Sequence, residues 1–338
     1  MKAKIILLAF ALFCGGVFAA DASGLELVSA PMAGSPGNTA LGQSFLPLLS
    51  PSGRHALFAG DALGLTPNPS HSFSPQVFLR DFEAGTTVLV SVDRTGTEAA
   101  NGYCIPGGLS ADGQFAVFES RATNLAGADT NNNTDVFLRD IKKRETLLVS
   151  KSLNGAGAGQ GGSKGSEISA NGAFVVFESA ADNLVGNDTN LFSDVFRWER
   201  ATGQNELVSV GPQNKSVNAV SEEAQISGDG RYVLFRSSGV NLVAANQNRP
   251  LGEIYLRDMT DRKTLWVSSN GLAALSALFN KTIAVADFSS AVMSADSRWI
   301  AFNATVTNQT VILLNDTQTG QTEAIGQPGT GFETMSNP

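Results

Sequence analysis

The chain has 338 residues, 42% of them hydrophobic and 16% charged, with a formal net charge of −8. Such a composition builds a sizeable core and excludes a disordered chain. The acidic balance makes nucleic acid and anionic membrane surfaces poor candidates as partners. The first element in chain order is a leader. Lys2 and Lys4 precede the apolar run IILLAFALFCGGVFA, which is too short to span a bilayer and has the length of a signal-peptide core. Small residues at Val17 and Ala19 place cleavage after Ala19, giving a signal peptide over 1–19 and one domain over 20–338. Cys14 would serve a lipid-attachment box, but the bulky Phe13 before it fits one poorly. Cleavage removes two lysines and no acids, so the net charge moves to −10. Cys104 is then the one remaining cysteine, without a disulfide partner and expected as a small buried apolar residue. The expected location is the periplasm or the cell exterior, with no membrane span.

The next apolar run, LELVS at 25–29, has the look of an outer strand. A unit then recurs five times, each opening on a turn: SPSGRHALF at Ser50, SADGQFAVF at Ser110, SANGAFVVF at Ser169, SGDGRYVLF at Ser227 and SADSRWIAF at Ser294. The spacings are 60, 59, 58 and 67 residues. After each turn come an apolar run, a polar loop and a further run: VFLRD at Val77 and Val136, VFRWE at Val195, IYLRD at Ile254 and ILLND at Ile312. A short turn leads to a last run, such as TVLVS at Thr87 or TLLVS at Thr146. These runs are short, rich in Val, Phe, Leu and Ile, and bounded by Gly, Asp, Asn and Ser. They read as strands, and no segment shows a sustained helical stripe. Including a short strand before each turn, every unit holds four. Because the runs are apolar at nearly every position, the sheets are covered on both faces, as in stacked antiparallel blades. The fold class is an all-β propeller. His55, Phe115, Phe174, Tyr232 and Trp299 share one position in it, so His55 is expected as a packed ring.

The pattern S-x-D-G-R-x-V-x-F … D-T-N … D-V-F-L-R-D … L-V-S resembles the TolB-type, WD40-like (PD40) propeller repeat over nearly all of residues 25–338. Copies at 109–150 and 168–210 match best. TolB proteins also carry an α/β domain before the propeller that this chain lacks. The likeness therefore extends to the propeller and not to TolB's role in a periplasmic complex. Outer strands number six against five sets of the other three. The expectation is a six-bladed plan with an incomplete last blade, closed by 25–29, in a truncated frame or a segment of a longer protein. Such an open edge invites self-association.

Chemistry-bearing residues are few. Asp129, Asn131, Asn133 and Asp135 place oxygens at alternate positions like the start of a calcium loop, with Asp140 twelfth. Thr134 stands where an EF-hand needs Gly, and an extended 136–139 carries Asp140 away. The later copy keeps Asp188, Asn190 and Asp194 but has Phe192 between them. Two readings stand: turn chemistry, in which Asp and Asn bond their own backbone, and a structural Ca²⁺. GGSKG at 161–165 formally matches a nucleophile elbow but sits in a glycine-rich connection. The pairs Arg80–Asp81, Arg139–Asp140 and Arg257–Asp258 suggest pairing at turns and blade edges. First strands line the axis on the loop side, which puts Tyr103, Lys164, Glu167, Glu222 and Glu223 at its entrance. The expectation is a non-catalytic exported propeller binding a protein, peptide or glycan through this face. Alternatives are a glycan-active propeller enzyme, since some relatives of the repeat are lyases, or an accessory domain of a larger exported protein.

Overall fold

The computed structural model describes residues 28–29, 42–61, 65–66, 74–127, 129, 131–244 and 251–325. Each sequence unit forms a four-stranded antiparallel sheet whose strands lie in chain order. Blade 1 holds β1 (Ser44–Leu49), β2 (His55–Gly60), β3 (Gln76–Asp81) and β4 (Thr86–Leu89). Blade 2 holds β5 (Cys104–Leu109), β6 (Phe115–Ser120), β7 (Asp135–Asp140) and β8 (Glu145–Leu148). Blade 3 holds β9 (Ser163–Ile168), β10 (Phe174–Ser179), β11 (Asp194–Glu199) and β12 (Gln204–Leu207). Blade 4 holds β13 (Ser221–Ile226), β14 (Tyr232–Ser237), β15 (Glu253–Asp258) and β16 (Lys263–Trp266). Blade 5 holds β17 (Asp287–Met293), β18 (Trp299–Val306), β19 (Gln309–Asp316) and β20 (Gln321–Ile325). First strands pack on first strands, β1 on β5, β5 on β9, β9 on β13 and β13 on β17, so they surround the axis.

The repeated turn has a local cause and a distant one. Locally, the Ser110 hydroxyl donates to Asp112 at 2.6 Å and accepts the Phe115 N–H at 2.9 Å, closing the hairpin between β5 and β6. Gly113, Gly172 and Gly230 take left-handed φ values of +72°, +66° and +81°. At a distance, each of these glycines lies against the ring of the preceding blade. A Cβ on Gly113 would meet His55, one on Gly172 would meet Phe115, and one on Gly230 would meet Phe174. The glycine thus satisfies both the turn and the blade spacing.

The core follows from alternation along the second and third strands. Ala116 and Phe118 face blade 1, packing with Leu57, Val77 and Leu79, whereas Phe115 and Val117 face blade 3. Val175 and Phe177 face blade 2 in turn, and Val176 faces blade 4. A stacked ring pair recurs on the face toward the preceding blade. Its members are Phe58–Phe78, Phe118–Phe137, Phe177–Phe196 and Phe235–Tyr255, with centroids 5.6–5.8 Å apart. In blade 5, Leu313 stands across from Phe302, and Phe288 from β17 meets that ring edge-on. The expected equivalence of Phe58, Phe118, Phe177, Phe235 and Phe302 holds: each is no more than 1% exposed.

Blade 5 departs from the pattern. Ile300, Phe302 and Ala304 bury one face against blade 4, while Val292 (54%), Trp299 (38%), Ile312 (38%) and Ile325 (48%) leave the other exposed. A second departure is a short helical segment, although no sustained helical stripe shows in the sequence. Between β16 and β17 run a 3₁₀ turn, Val267–Asn270, and a helix, α1 (Gly271–Phe279). It accounts for the long 67-residue spacing. At nine residues its apolar pattern is too short to stand out from an apolar strand. Leu275 is its buried anchor, and the left-handed Asn280 caps it.

The expected closing strand at 25–29 lies outside the described residues except for Val28 and Ser29. Val28 packs with Phe58, Leu65, Phe78, Leu89 and Val92 on the face of blade 1 turned away from blade 2. The leader, His71 and residues 326–338 also lie outside. Among the described residues no helix is long and apolar enough to cross a membrane.

Candidate functional site

The loops between second and third strands and the connectors between blades emerge on one face. Asparagines staple the two sets together. Asn131 Nδ2 donates to Gly159 O (2.6 Å) and Asn133 Nδ2 to Gln160 O (2.9 Å). In the next copy Asn187 Nδ2 donates to Asn214 O (3.0 Å) and Asn190 Nδ2 to Val217 O (2.6 Å). The same side chains close the loop turns, Asn131 Oδ1 accepting Asn133 N–H and Asn190 Oδ1 accepting Phe192 N–H. Turn chemistry is therefore present in both copies. Asp140 sits at the far end of β7, accepting Lys143 N–H, so no EF-hand forms.

The axial residues divide by role. Tyr103 is 40% exposed, and the Lys164 side chain is 70% exposed with its ammonium 3.9 Å from Glu178. Glu222 pairs with Arg236 at 2.5 Å, and the same guanidinium bonds Asp287 and Phe288 O. Glu167 and Glu223 instead reach the next blade, accepting the Ile226 N–H (2.8 Å) and the Ser290 N–H (2.6 Å). Sequence reasoning missed two matching carboxylates at the end of second strands. Glu119 accepts the Ser166 N–H and hydroxyl, and Glu178 accepts the Glu223 N–H. The receiving strands are bulged, with Gly165, Glu223 and Ser290 at positive φ, which turns their N–H groups toward the neighbouring blade. Burial raises the pKa of Glu119 and Glu178 and pushes Glu167 up to about 7, opposed in part by these N–H donors.

A buried polar pair also repeats behind the loops. In blades 1 to 4 the first residue of the third strand meets the serine that follows the outer strand: Gln76–Ser91, Asp135–Ser150 (2.6 Å), Asp194–Ser209 (2.5 Å) and Glu253–Ser268. Each serine also accepts the next backbone N–H, as at Val136 and Val195. Burial, together with the neighbouring charge of Asp129, raises Asp135 to about 7, while Ser150 and Asn131 oppose it. Asp194 is likewise raised to about 7 by burial. Asp129 and Asp188 are raised by burial as well.

The remaining sequence candidates resolve simply. His55 is a buried ring with Nε2 3.4 Å from Asp81. Cys104 is wholly buried, and burial pushes its thiol up to about 12. Ser163 of GGSKG starts β9 and donates to Ser179, so no elbow forms. Arg139 and Arg257 cross to Thr146 and Thr264 on the outer strands, while Asp81 and Asp258 pair with Arg54 and Arg231. Sequence reasoning also missed an apolar cluster on the loop face of blade 3. Leu191 is 90% exposed, Phe192 46%, Leu153 58% and Val220 38%. Leu153 and Val220 lie in the bracketing connectors, which are tied to this loop by Leu153 N–H to Asn183 O and Ser221 N–H to Ser193 O.

No protein-family model matches the chain, and no curated protein matches it significantly. Solved β-propellers do resemble it. The propeller domain of the trilobed protease from Pyrococcus furiosus, described as having an open velcro topology, aligns with 84% of this chain and 71% of its own (TM-score 0.51, 12% identity). TolB from Acinetobacter baumannii aligns over 85% of this chain at 13% identity and TM-score 0.45. This chain spans 55% of the length of that TolB. Oligogalacturonate lyase from Vibrio parahaemolyticus aligns over 82% of this chain and 63% of its own (TM-score 0.46, 13% identity). At such identities the likeness establishes the fold, a β-propeller.

Proposed function

We propose that the protein is an exported binding propeller that takes a protein or peptide partner on its loop face. The observation that carries this reading is the Leu191–Phe192 pair, held out by a loop whose own side chains fix it. Asn190 accepts the Phe192 N–H at 2.7 Å while its amide donates to Asp194 and Val217 O. Large apolar side chains presented on a rigid, stapled loop suit an interface hot spot, because little conformational entropy is lost when they are covered. Tyr103, Lys164 and Glu222 stand on the same face and would supply its polar rim. The alternative, a glycan-active enzyme, needs axial carboxylates free to act. Glu119, Glu167, Glu178 and Glu223 are instead engaged with backbone N–H groups of the next blade, which favours the non-catalytic reading.

The test is a peptide and glycan array probed with purified protein and with a Leu191→Ser/Phe192→Ser double variant. Both side chains are exposed, so the variant should melt within a degree or two of the unaltered protein. Peptide signals at least tenfold weaker with the variant support the proposal. Peptide signals that the variant retains, or release of cleaved sugar from the glycan spots, overturn it.

A further inference from the structure

The four blades with a well-formed L-V-S serine fill the space beside the first residue of the third strand in different ways. In blade 1 that residue is Gln76, whose amide nitrogen donates to Ser74 O, Ala100 O and Gly102 O at 3.1–3.3 Å. In blade 3 it is Asp194, and the Asn190 amide swings in to donate to its Oδ2 at 2.7 Å. In blade 4 it is Glu253, whose Oε2 accepts the Trp266 indole N–H at 2.8 Å. In each of these blades a side-chain N–H takes part in the cluster. Blade 2 breaks the series. Its Asn131 amide donates to Gly159 O, and Asp135 Oδ2 is left with no hydrogen-bond partner.

Beside it lies Asp129, 4% exposed, with neither carboxylate oxygen hydrogen-bonded. The turn that Asn131 Oδ1 closes on the Asn133 N–H folds Asp129 back toward Asp135, the first residue of β7. In the counterpart of blade 3, Asp188 Oδ1 accepts the Asn190 N–H at 3.4 Å. Among the described residues, three buried carboxylate oxygens of this one loop therefore stand without a hydrogen-bond partner, where the matching loop of blade 3 places the Asn190 amide on Asp194. Leaving ionised oxygens buried and unpaired costs several kcal/mol per group, so either a cation or a proton must answer them.

We propose that Asp129 and Asp135 form a Ca²⁺ site that takes the place of the donor nitrogen and holds the loop between β6 and β7 to blade 2. All-oxygen, irregular donors suit Ca²⁺ better than ions demanding strict octahedral geometry or nitrogen and sulfur ligands. Three protein carboxylate oxygens leave the other positions to carbonyls and water. The affinity belongs with extracellular modules, at a Kd of about 10⁻⁴–10⁻³ M. Blade 3 forms no equivalent site, since the Asn190 amide already fills it.

The test uses purified protein stripped with a chelator and titrated with CaCl₂, with NaCl at matched ionic strength as the control arm. Calorimetry should give one saturable Ca²⁺ per chain, and the melting temperature should rise. At tenfold excess over Kd the folded-to-unfolded ratio grows about 11-fold. Asp129→Asn should abolish the rise. By supplying an amide, as Asn190 does in blade 3, it should also leave the Ca²⁺-free protein at least as stable as the unaltered one. Asp188→Asn should keep the rise. Absence of a shift at 10 mM Ca²⁺ would mean that a shared proton holds the pair and would overturn the site. So would a shift that survives Asp129→Asn or is matched by NaCl. If Asp129→Asn does not fold, Asp135→Asn reads the same loss, and non-saturable heats with the unaltered protein overturn the proposal without any variant.

Discussion

The double duty of the turn glycines can be measured by comparing Gly172→Ala with Gly53→Ala. Both glycines sit at left-handed φ, +66° and +69°, in the same turn of the repeat. Alanine at either should cost about 1–2 kcal/mol from backbone strain alone. Their surroundings differ. Nothing lies within 4 Å of a Cβ built on Gly53, whereas one on Gly172 stands 2.5 Å from Phe115 Cδ2 and 3.2 Å from its Cε2. The ring cannot retreat, because the Arg200 guanidinium lies 4.1 Å from its centroid and donates to Gly172 O at 2.7 Å. Relief must come from moving blade 3 relative to blade 2, an overpacking cost of about 1–3 kcal/mol more. Gly172→Ala should therefore lose about 2–5 kcal/mol and Gly53→Ala about 1–2 kcal/mol. Urea unfolding followed by far-ultraviolet circular dichroism reads both from the midpoint and slope. Equal losses at the two positions would show that the glycines serve the turn alone and that the contact between blades is slack.

Phe177→Ala, which removes a wholly buried ring stacked 5.7 Å from Phe196, should cost about 3–5 kcal/mol in the same assay, and a loss below 1 would contradict the packing described. Glu167→Gln keeps an acceptor for Ile226 N–H but removes a titration. The folded pKa, about 7, exceeds the unfolded value of about 4.5, so the unfolded chain releases this proton first and stability falls as pH rises from 4.5 to 7. The stability of the unaltered protein minus that of the variant should drop by about 3 kcal/mol across that window, and a flat difference would refute the shift. The exposed apolar face of blade 5 should drive concentration-dependent association in sedimentation velocity, weakened by Ile312→Lys; a monomer at every concentration would count against it.

Much of the architecture was legible in the sequence because the repeat encodes its own geometry. The turn serine, the left-handed glycine and the apolar second and third strands each have a definite physical use, and they recur together. What escaped was non-periodic. The GLAALSALF helix occurs once, in an insertion between blades, and its nine residues give a helical period too little length to show. The bulges of the first strands were also hidden. Their positive-φ residue is Gly165 in one blade but Glu223, Ser290 and Leu46 in others, so no residue type announces it.

The candidate site was harder to read because similar residues end up with different partners. Asp129, Asn131 and Asp135 repeat as Asp188, Asn190 and Asp194, and sequence treats the two sets alike. Both amides donate to the connector, Asn131 Nδ2 to Gly159 O and Asn190 Nδ2 to Val217 O, but Asn190 Nδ2 also reaches Asp194 Oδ2. The serines that complete these acids lie 15 residues downstream, just past an outer strand, a separation that only the folded sheet makes short. The axial glutamates show the same limit. Glu167 and Glu223 look like ligand-binding acids on a polar strand until the bulged backbone of the next blade is seen to donate to them. A repeat therefore states which residues meet within a blade, and says little about which atoms answer them across the gap to the next.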